Sequence, residues 1–372
     1  MNIRKIDTRN KKDLKKFIQF PFDLYKGNPY WVPQLREDMR KVLDKDNHPF
    51  YQHSDADFFL AEDNNKTVGR IAAIDNSRSN SVNNLDKVFF YYYETINDRE
   101  VSGALFNAVC NWAREKGHSQ AYGPKGLLQG DGIGLLVDGF DFVPAVGIPY
   151  NFDYYDRLVK EAGFEKKFDY FSGFVDTSIG LTDKVKRVAE KVKKRSGFWV
   201  RKFETKEEIM RIAPELRHVY NSAFEGSEGF SPVTEEEIVV IAKRLLSVAD
   251  PRLIKLVYKE DKIIGFLFSY PNICRGLQKT NGRLFPFGWF HIMRDFKTTK
   301  YMDSNGIGIL PEYQGLGPTA VIYTEFEKTF REFDFDFVEI VQVREDNIAS
   351  LGEASNFGMD WIKTHRIYQL NL

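Results

Sequence analysis

The alternation of hydrophobic and polar positions along the chain predicts one series of elements twice. A short alternating strand, IRKIDT at 3–8, is matched 197 residues later by VRKFET at 200–205. Each is followed by a charged, helix-prone stretch. The segments KTVGRIAAI at 66–74 and DKIIGFLFS at 261–269 both come after a polar turn, which is typical of the second strand of a hairpin.

A third pair of segments completes the pattern: EAGFEKKFDYF at 161–171 corresponds to NFGMDWIKTHRIY at 356–368. Because the three matches recur at nearly constant, domain-sized spacing, we predict two copies of one fold rather than a solenoid. The predicted N-terminal domain is 1–180 and the C-terminal domain 198–372. A bridging helix at 181–197 joins them, and its lysine run indicates a solvated face.

Each copy is predicted to contain a strand, helices, a hairpin, another strand, a long amphipathic helix, a strand, a helix and a last strand. Apolar residues recur on one face of the first long helix, EVSGALFNAVCNWAREKG, which Gly117 ends. The second long helix, PTAVIYTEFEKTFREF, carries a stripe from Ile322 to Phe333. This order predicts an α/β (α+β) fold in which helices flank a mixed sheet.

Charge and composition narrow the classes of protein. Lys plus Arg and Asp plus Glu both number 53 among 372 residues, and this balance argues against DNA as a partner. The two cysteines, Cys110 and Cys274, lack metal-ligand spacing, so we expect no metal and a reducing, cytoplasmic location. No apolar run is long enough to predict a transmembrane segment.

The stretch PEYQGLGPTA at 311–320 stands between a predicted strand at 305–310 and a predicted helix from 321. At such a junction, unpaired backbone N–H groups and the positive end of the helix dipole point to one place. Gly315 and Gly317 allow close approach and positive φ. The pattern favours a pyrophosphate site, although a purely structural turn would use the same residues.

The helix start supports this interpretation in the second copy only. Pro318 removes an N–H that would have no helical partner, and Thr319 offers a hydroxyl donor. At the matching place the first copy reads NDREVSGAL at 97–105, with Glu100 where the second has Gln314. A carboxylate repels a pyrophosphate, so we expect only the C-terminal copy to bind one.

The segment from Gln314 to Thr319 resembles the acetyl-CoA-binding motif of the GNAT (N-acetyltransferase) superfamily, Gln/Arg-x-x-Gly-x-Gly/Ala, and departs from it at Thr319. Asn347 and Gly358 are similar to the superfamily's Asn-x-x-Ala…Gly-Phe ending, with Met359 in place of Phe. NPYWVPQL at 28–35 resembles the two-domain, YghO-like branch, some members of which are linked to bacterial ceramide synthesis.

The resemblance implies two tandem GNAT-like domains, each with a mostly antiparallel mixed sheet, and acetyl-CoA or a longer acyl-CoA as cosubstrate. The strand before the loop would splay from its neighbour and hold the pantetheine arm, while the loop holds the pyrophosphate. The implied cofactor-binding residues are Ile309, Leu310, Gln314, Gly315, Leu316, Gly317, Pro318, Thr319 and Asn347.

Acyl transfer to an amine needs a base and a proton donor for the leaving thiolate. The resemblance places the base at Asp303, eleven residues before Gln314, with Glu339 as a second candidate. A solvated turn would explain Asp303 equally, and a solvent-facing strand position Glu339. Ala354 stands where the superfamily has its tyrosine donor, so Tyr323, Ser350 or water would replace it.

We therefore expect an acyl-CoA-dependent N-acyltransferase that moves an acetyl or long-chain acyl group to a small-molecule or lipid amine. The alternatives are a non-catalytic regulatory protein that binds CoA or acyl-CoA, and an aminoacyl-tRNA-dependent transferase. The Phe-rich segment 282–296 would line an apolar groove or form a core strand. The insertion at 123–158 would be a mobile lid or a long ordered loop.

Overall fold

The order of the elements repeats, as the sequence predicts. The computed structural model describes residues 1–226, 230–355 and 359–372. In the first half the strands are β1 (Asn2–Lys5), β2 (Asp55–Asp63), β3 (Lys66–Asp75), β4 (Lys87–Thr95), β5 (Gln120–Gly123), β6 (Leu135–Asp138) and β7 (Glu165–Asp176). The helices there are α1 (Lys11–Leu24), α2 (Arg36–Leu43), α3 (Ser77–Asn83), α4 (Arg99–Glu115) and α5 (Tyr154–Glu161).

The second half follows the same plan. Its strands are β8 (Phe198–Arg201), β9 (Lys255–Lys259), β10 (Lys262–Pro271), β11 (Tyr301–Ile309), β12 (Phe337–Arg344) and β13 (Asp360–Asn371). Its helices are α6 (Asp183–Ser196), α7 (Lys206–Phe224), α8 (Glu235–Val248), α9 (Cys274–Thr280), α10 (Gly288–Thr298), α11 (Pro318–Glu332) and α12 (Ile348–Ser355). The predicted mixed sheet flanked by helices is confirmed. Within the described residues, no helix is long and apolar enough to cross a membrane.

The chain is divided into two compact units whose segments are not continuous in sequence. Unit 1 consists of Met1–Tyr170, Cys274–Arg294 and Lys363–Leu372, and unit 2 consists of Phe171–Ile273 and Asp295–Ile362. Each unit therefore contains residues from both of the predicted domains, 1–180 and 198–372. The predicted bridging segment forms α6, which belongs to unit 2 and packs on α11 through a Lys193–Glu325 ion pair of 2.7 Å.

Unit 1 has the strand order β1-β2-β3-β4-β5, in which only the β4–β5 pair is parallel. The last residues of the chain extend this sheet, because Tyr368 in β13 pairs with Gly123 in β5. Helix α4 covers one face. Gly69 allows that approach, since a Cβ there would lie 2.7 Å from Leu105 Cδ1. Unit 1 therefore takes a sheet strand from the far end of the sequence.

A buried carboxyl group lies inside unit 1. The hydroxyls of Tyr25 and Tyr155 donate to Glu94 Oε2 at 2.5 and 2.9 Å, and Arg70 Nη2 lies 3.9 Å from Glu94 Oε1. Burial raises the pKa of Glu94. Tyr25 also lines a cleft of about 430 Å³ together with Trp31 and others. The hydrogen bonds to Glu94 and Tyr155 thus hold one of the side chains that line the cleft.

Two segments left open by the sequence are now defined: 123–158, which lies in unit 1, and 282–296, which lies in unit 1 as far as Arg294. The insertion at 123–158 contains β6 and the start of α5, and the Asn151 carboxamide bonds to both the N–H (2.7 Å) and the C=O (2.9 Å) of Leu136. The expectation of a core strand at 282–296 is wrong. Those residues form a turn and most of α10, and Phe285 and Phe287 are 79% and 73% exposed.

Unit 2 repeats the arrangement with the order β8-β9-β10-β11-β12, and only the β11–β12 pair among these is parallel. The part of β7 from Phe171 lies beside β12, where the Ser172 hydroxyl accepts a bond from Gln342 N–H at 2.9 Å. Gly265 corresponds to Gly69 of unit 1. A Cβ on Gly265 would lie 2.5 Å from Ile309 Cδ1, so this glycine lets β11 approach β10 closely.

The buried His365 of unit 1 makes stability depend on pH. Its Nε2 donates to the Pro149 carbonyl at 3.0 Å, and burial lowers its pKa to about 4. The unfolded chain binds this proton near pH 6.5 and the native chain does not, so the free energy of unfolding should fall between about pH 6.5 and 4. His365→Gln should remove a part of this loss no larger than about 3 kcal/mol.

Denaturant titrations of both proteins across that pH window measure the difference. Carboxylates that titrate in the same range contribute equally to both proteins and cancel in the comparison. Identical pH slopes for wild type and variant would show that His365 gains its proton without unfolding.

Candidate functional site

Strand β11 separates from β12 halfway along its length, within unit 2. The parallel pairing begins at Tyr301↔Phe337 and ends at Ser304↔Ile340. On its other side β11 stays paired with β10 as far as Gly265↔Ile309. Both strands continue past the last shared pair, so a gap opens between their carboxyl ends.

A β-bulge in β11 marks the point of separation. Leu267 pairs with Ile307 and Ser269 with Ser304, so Phe268 alone faces the two residues Asn305 and Gly306. Gly306 has a φ of +117°, which residues with a side chain rarely adopt. A bulge bends its strand and increases the twist. The bend therefore falls where the ladder to β12 ends.

The backbone beyond the bulge faces the gap at alternate residues. Leu310 N–H donates to Ile264 O at 2.9 Å, so Leu310 faces β10. In an antiparallel ladder the intervening residues, Ile307 and Ile309, direct their N–H and C=O groups the other way, into the gap. The Ile309 carbonyl also accepts the Gln314 Nε2 amide at 3.1 Å. Gln314 thus ties the following turn to the strand.

The turn after β11 leads directly into α11. Gly315 and Gly317 have φ values of +74° and +94°, and α11 begins at Pro318. No side chain among the described residues caps this end of α11. The first N–H groups of the helix, on Gly317, Thr319 and Ala320, lack helical partners and lie at the positive end of the helix dipole. Such an arrangement of donors is suited to an anion.

Helix α6 sets the position of the turn. A Cβ on Gly317 would lie 2.6 Å from Val192 Cγ2, whereas a Cβ on Gly315 would meet no atom within 4 Å. Leu316, between them, is 55% exposed. Gly317 is therefore required for packing, and Leu316 projects from the turn into solvent.

Two acidic side chains face each other where β11 and β12 are still paired. Asp303 and Glu339 are register partners, so both point to the same face of the sheet, on strands about 4.8 Å apart. Both are fully buried, and Asn272 Nδ2 donates to Asp303 Oδ1 at 2.9 Å. Neither residue is the solvent-exposed position that the simpler interpretation of the sequence expected.

Strand β10 and the residue that follows it add two polar side chains that the sequence pattern does not single out. Tyr270 is the register partner of Asp303, and Asn272 follows two residues later. The Tyr270 hydroxyl accepts a bond from Asn305 Nδ2 at 3.2 Å. The hairpin containing Tyr270 is evident from the sequence, but the bulge that sets its register is not.

The other predicted site residues lie on α11 and before α12. Tyr323 is half-buried in the second turn of α11. Asn347 Oδ1 accepts the Ser350 N–H at 3.1 Å, so this side chain caps α12. Ala354 is part of α12, and Gly358 lies outside the described residues. For Asn347 the structure thus shows a capping role, and its contact with a cofactor stays a prediction.

Unit 1 contains the same bulge but not the same gap. The β4–β5 pairing ends at Phe89↔Tyr122, and Tyr92, with φ +47°, occupies the bulge. The chain then turns back, and Lys125 N–H donates to Phe90 O at 3.0 Å. Backbone of unit 1 itself therefore occupies the place beside β4.

The N-terminus of α4 is also occupied. Asp98 Oδ1 accepts the N–H groups of Glu100 and Val101 at 2.8 and 3.2 Å. A carboxylate thus already satisfies the donors that an anion would use. Gly103, the residue of the pattern that remains, lies inside α4, where a Cβ would meet no atom within 4 Å.

The fold is that of tandem GNAT proteins. The structure aligns with a tandem GNAT protein from the clavulanic acid biosynthesis pathway at a TM-score of 0.56 and 10% sequence identity. The alignment includes 100% of this chain and 98% of that protein's chain. A GCN5-related N-acetyltransferase from Sphaerobacter thermophilus covers 100% and 95% at a TM-score of 0.52 and 12% identity. At such identities the comparison defines the fold alone.

Two proteins are similar in sequence along nearly the whole chain. Protein YghO of Escherichia coli is 28% identical over 367 residues, 97% of this chain and 93% of YghO. The bacterial ceramide synthase of Caulobacter vibrioides is 28% identical over 375 residues, 98% and 96% of the two chains. No protein-family model matches the chain. The resemblance to the tandem, YghO-like branch is confirmed.

The contact between Gly317 and Val192 can be tested by substitution. Gly317→Ala should lower the free energy of unfolding by about 2 kcal/mol, because it adds both a clash and a left-handed strain. Gly315→Ala, which adds only the strain, should cost about 1 kcal/mol. Denaturant titration gives both values.

A double variant separates the two costs. Val192→Ala removes the Cγ atoms that the new methyl group would meet, so Gly317→Ala should cost less in that background than in wild type. Equal costs in the two backgrounds would show that α6 does not restrict the turn.

Proposed function

We propose that this protein is an acyl-CoA-dependent N-acyltransferase whose acyl-CoA site lies in unit 2. The observation that carries the proposal is the gap between β11 and β12, which ends at the N-terminus of α11, where no described side chain caps the helix. A strand with unpaired amides beside a helix start suits a ligand that combines an amide-containing arm with a pyrophosphate. CoA is such a ligand.

The residues fit CoA in two places. Backbone groups of Ile307 and Ile309 would pair with the amides of the pantetheine arm as an added strand does. The N–H groups of Gly317, Thr319 and Ala320 would hold the pyrophosphate. Leu310 would contribute through packing alone, since its N–H and C=O bond to Ile264 O and Tyr313 N–H. Asn347 remains a proposed contact.

The chemistry is direct transfer. The amine nitrogen attacks the thioester carbonyl carbon, a C–N bond forms, the C–S bond breaks and sulfur leaves as a thiolate. Asp303 takes the proton from the amine, with Asn272 orienting its carboxylate and Glu339 on the same face of the sheet. Tyr323 is the proposed donor of a proton to the thiolate.

We further propose that the acceptor is a lipid amine. The similarity to a protein named bacterial ceramide synthase along nearly the whole chain supports this class. Phe266, beside β11, is fully buried, so its stack with Phe268 at 4.5 Å belongs to the core of unit 2. The sequence similarity alone carries the proposal of a lipid amine.

The anion site is tested by introducing a negative or a positive charge at one position of the turn. Leu316→Glu should weaken CoA binding about tenfold, because a carboxylate would face the pyrophosphate, and Leu316→Lys should preserve or tighten it. The two variants share a backbone and a similar size. Isothermal titration with CoA and palmitoyl-CoA measures both.

Gly103→Glu is the matched control in unit 1 and should leave CoA affinity unchanged. If Gly103→Glu loses CoA binding and Leu316→Glu keeps it, the cofactor binds unit 1 and the proposal is wrong. If Leu316→Glu and Leu316→Lys bind CoA with equal affinity, the pyrophosphate does not bind at this turn.

The base is tested with isosteric amides. Asp303→Asn should lower kcat by about 10²- to 10⁴-fold on a long-chain amine with palmitoyl-CoA, and Glu339→Gln by less, while CoA affinity stays unchanged in both. If Asp303→Asn retains full kcat, Asp303 is not the base. Acyl-CoA binding by wild type without turnover on any amine would instead indicate a regulatory protein.

A further inference from the structure

A contiguous group of large apolar side chains is exposed on unit 1. Phe285 and Phe287 are 79% and 73% exposed, and Trp289, Phe290 and Met293 are each about half exposed. We call these five residues the aromatic patch. Other exposed apolar residues, such as Val82 and Ile179, are scattered along the chain. Adjacent exposed aromatic residues mark an interaction surface.

Local backbone geometry fixes the patch in this outward position. A Cβ on Gly288 would clash with the Arg283 carbonyl, so the turn is tight. The N–H of Trp289 donates to Leu284 O at 2.9 Å, and its indole Nε1 donates to Pro286 O at 3.0 Å. The aromatic side chains are therefore displayed by an ordered turn, and the indole N–H is satisfied within it.

The base of the same segment is anchored in unit 1. The N–H of Arg36 donates to Gly282 O at 2.9 Å, and Arg36 Nε donates to Asn281 O at 3.3 Å. The Arg36 guanidinium also lies 3.6 Å from the ring centre of Phe22. The segment that carries the patch is thus attached to α2 through Arg36, and Arg36 packs on Phe22 of α1.

The segment that carries the patch is cationic, and the first acidic residue after it is Asp295 in α10. The segment Cys274–Arg294 has four cationic residues and no acidic residue, in a chain with a formal net charge of zero. All four cations, Arg275, Lys279, Arg283 and Arg294, are exposed. The segment therefore combines exposed aromatic residues with a local positive charge.

Two partners could cover the patch, a second copy of this chain or a lipid bilayer, and the charges distinguish between them. A symmetric dimer through the patch would bring the four cations of each copy together, which is repulsive. A bilayer with anionic headgroups attracts the cations and accepts Trp, Phe and Met side chains at the boundary between headgroups and acyl chains. The charges favour the membrane.

We propose that the segment Cys274–Arg294 binds the surface of anionic lipid bilayers, with the aromatic patch inserted and the cations facing the headgroups. This is peripheral binding by a preformed turn and helix. It does not depend on the proposed enzymatic function, and vesicle binding tests it without acyl-CoA.

The experiment is co-sedimentation with vesicles of phosphatidylcholine, with and without phosphatidylglycerol. The full chain should bind the anionic vesicles and not the neutral ones. The variant Phe285→Ser/Phe287→Ser/Trp289→Ser should lose at least about tenfold in vesicle affinity, because three inserted rings are removed. The control Val82→Ser/Ile179→Ser, which changes exposed apolar residues elsewhere, should bind as wild type does.

A second pair of variants tests the charge. Lys279→Gln and Arg283→Gln should each weaken binding to anionic vesicles about fivefold. Lys11→Gln/Lys12→Gln, which removes two exposed cations at the start of α1, should have no such effect.

Three results would overturn the proposal. The first is wild type that binds neither kind of vesicle, and the second is equal binding to neutral and anionic vesicles. The third is a dimer in vesicle-free solution that dissociates in the triple serine variant, measured by light scattering, without vesicle binding. Circular dichroism of each variant confirms that loss of binding is not loss of fold.

Discussion

The candidate site depends on one backbone irregularity, the bulge at Gly306. Two residues of β11 face one residue of β10 there, and the strand bends away from β12 at the place where their pairing ends. Without the bend, the ladder would continue, and the backbone groups of Ile307 and Ile309 would form hydrogen bonds with β12. The bend also directs the end of β11 toward the turn that starts α11. A positive φ at one glycine thus links the gap to the helix N-terminus.

Comparison of the two units shows that a shared fold is not enough to make the site. Unit 1 has the corresponding bulge at Tyr92, and its parallel pairing also ends early. There, however, Lys125 N–H bonds to the strand, and Asp98 caps the following helix. In unit 1 the chain itself thus provides the hydrogen-bond partners of the strand and of the helix N-terminus. In unit 2 a ligand would provide them. The two copies therefore differ in which backbone donors already have a hydrogen-bond partner within the chain.

Much of unit 2 could be predicted locally. The strand–turn–helix at Gln314–Pro318, the hairpin around Gly265 and the charge difference between Glu100 and Gln314 are readable because each depends on residues close in sequence. The pairing of Asp303 with Glu339 has another origin. The sequence places Asp303 just before the predicted strand at 305–310, and the alignment of Asp303 with Glu339 depends on the register of β11 against β12, between residues 36 positions apart. Tyr270 and Asn272 were missed for the same reason.

The sequence by itself determined the elements, their repetition and the glycine turn, because hydrophobic periodicity and turn chemistry act over a few residues. Tertiary structure decided which segments share a unit. The end of the chain pairs with β5, and Cys274–Arg294 belongs to unit 1 although it lies inside the second repeat. It also decided that Phe285 and Phe287 face solvent. A hydrophobic residue favours burial wherever it stands, and only the packed structure determines whether a buried place exists for it.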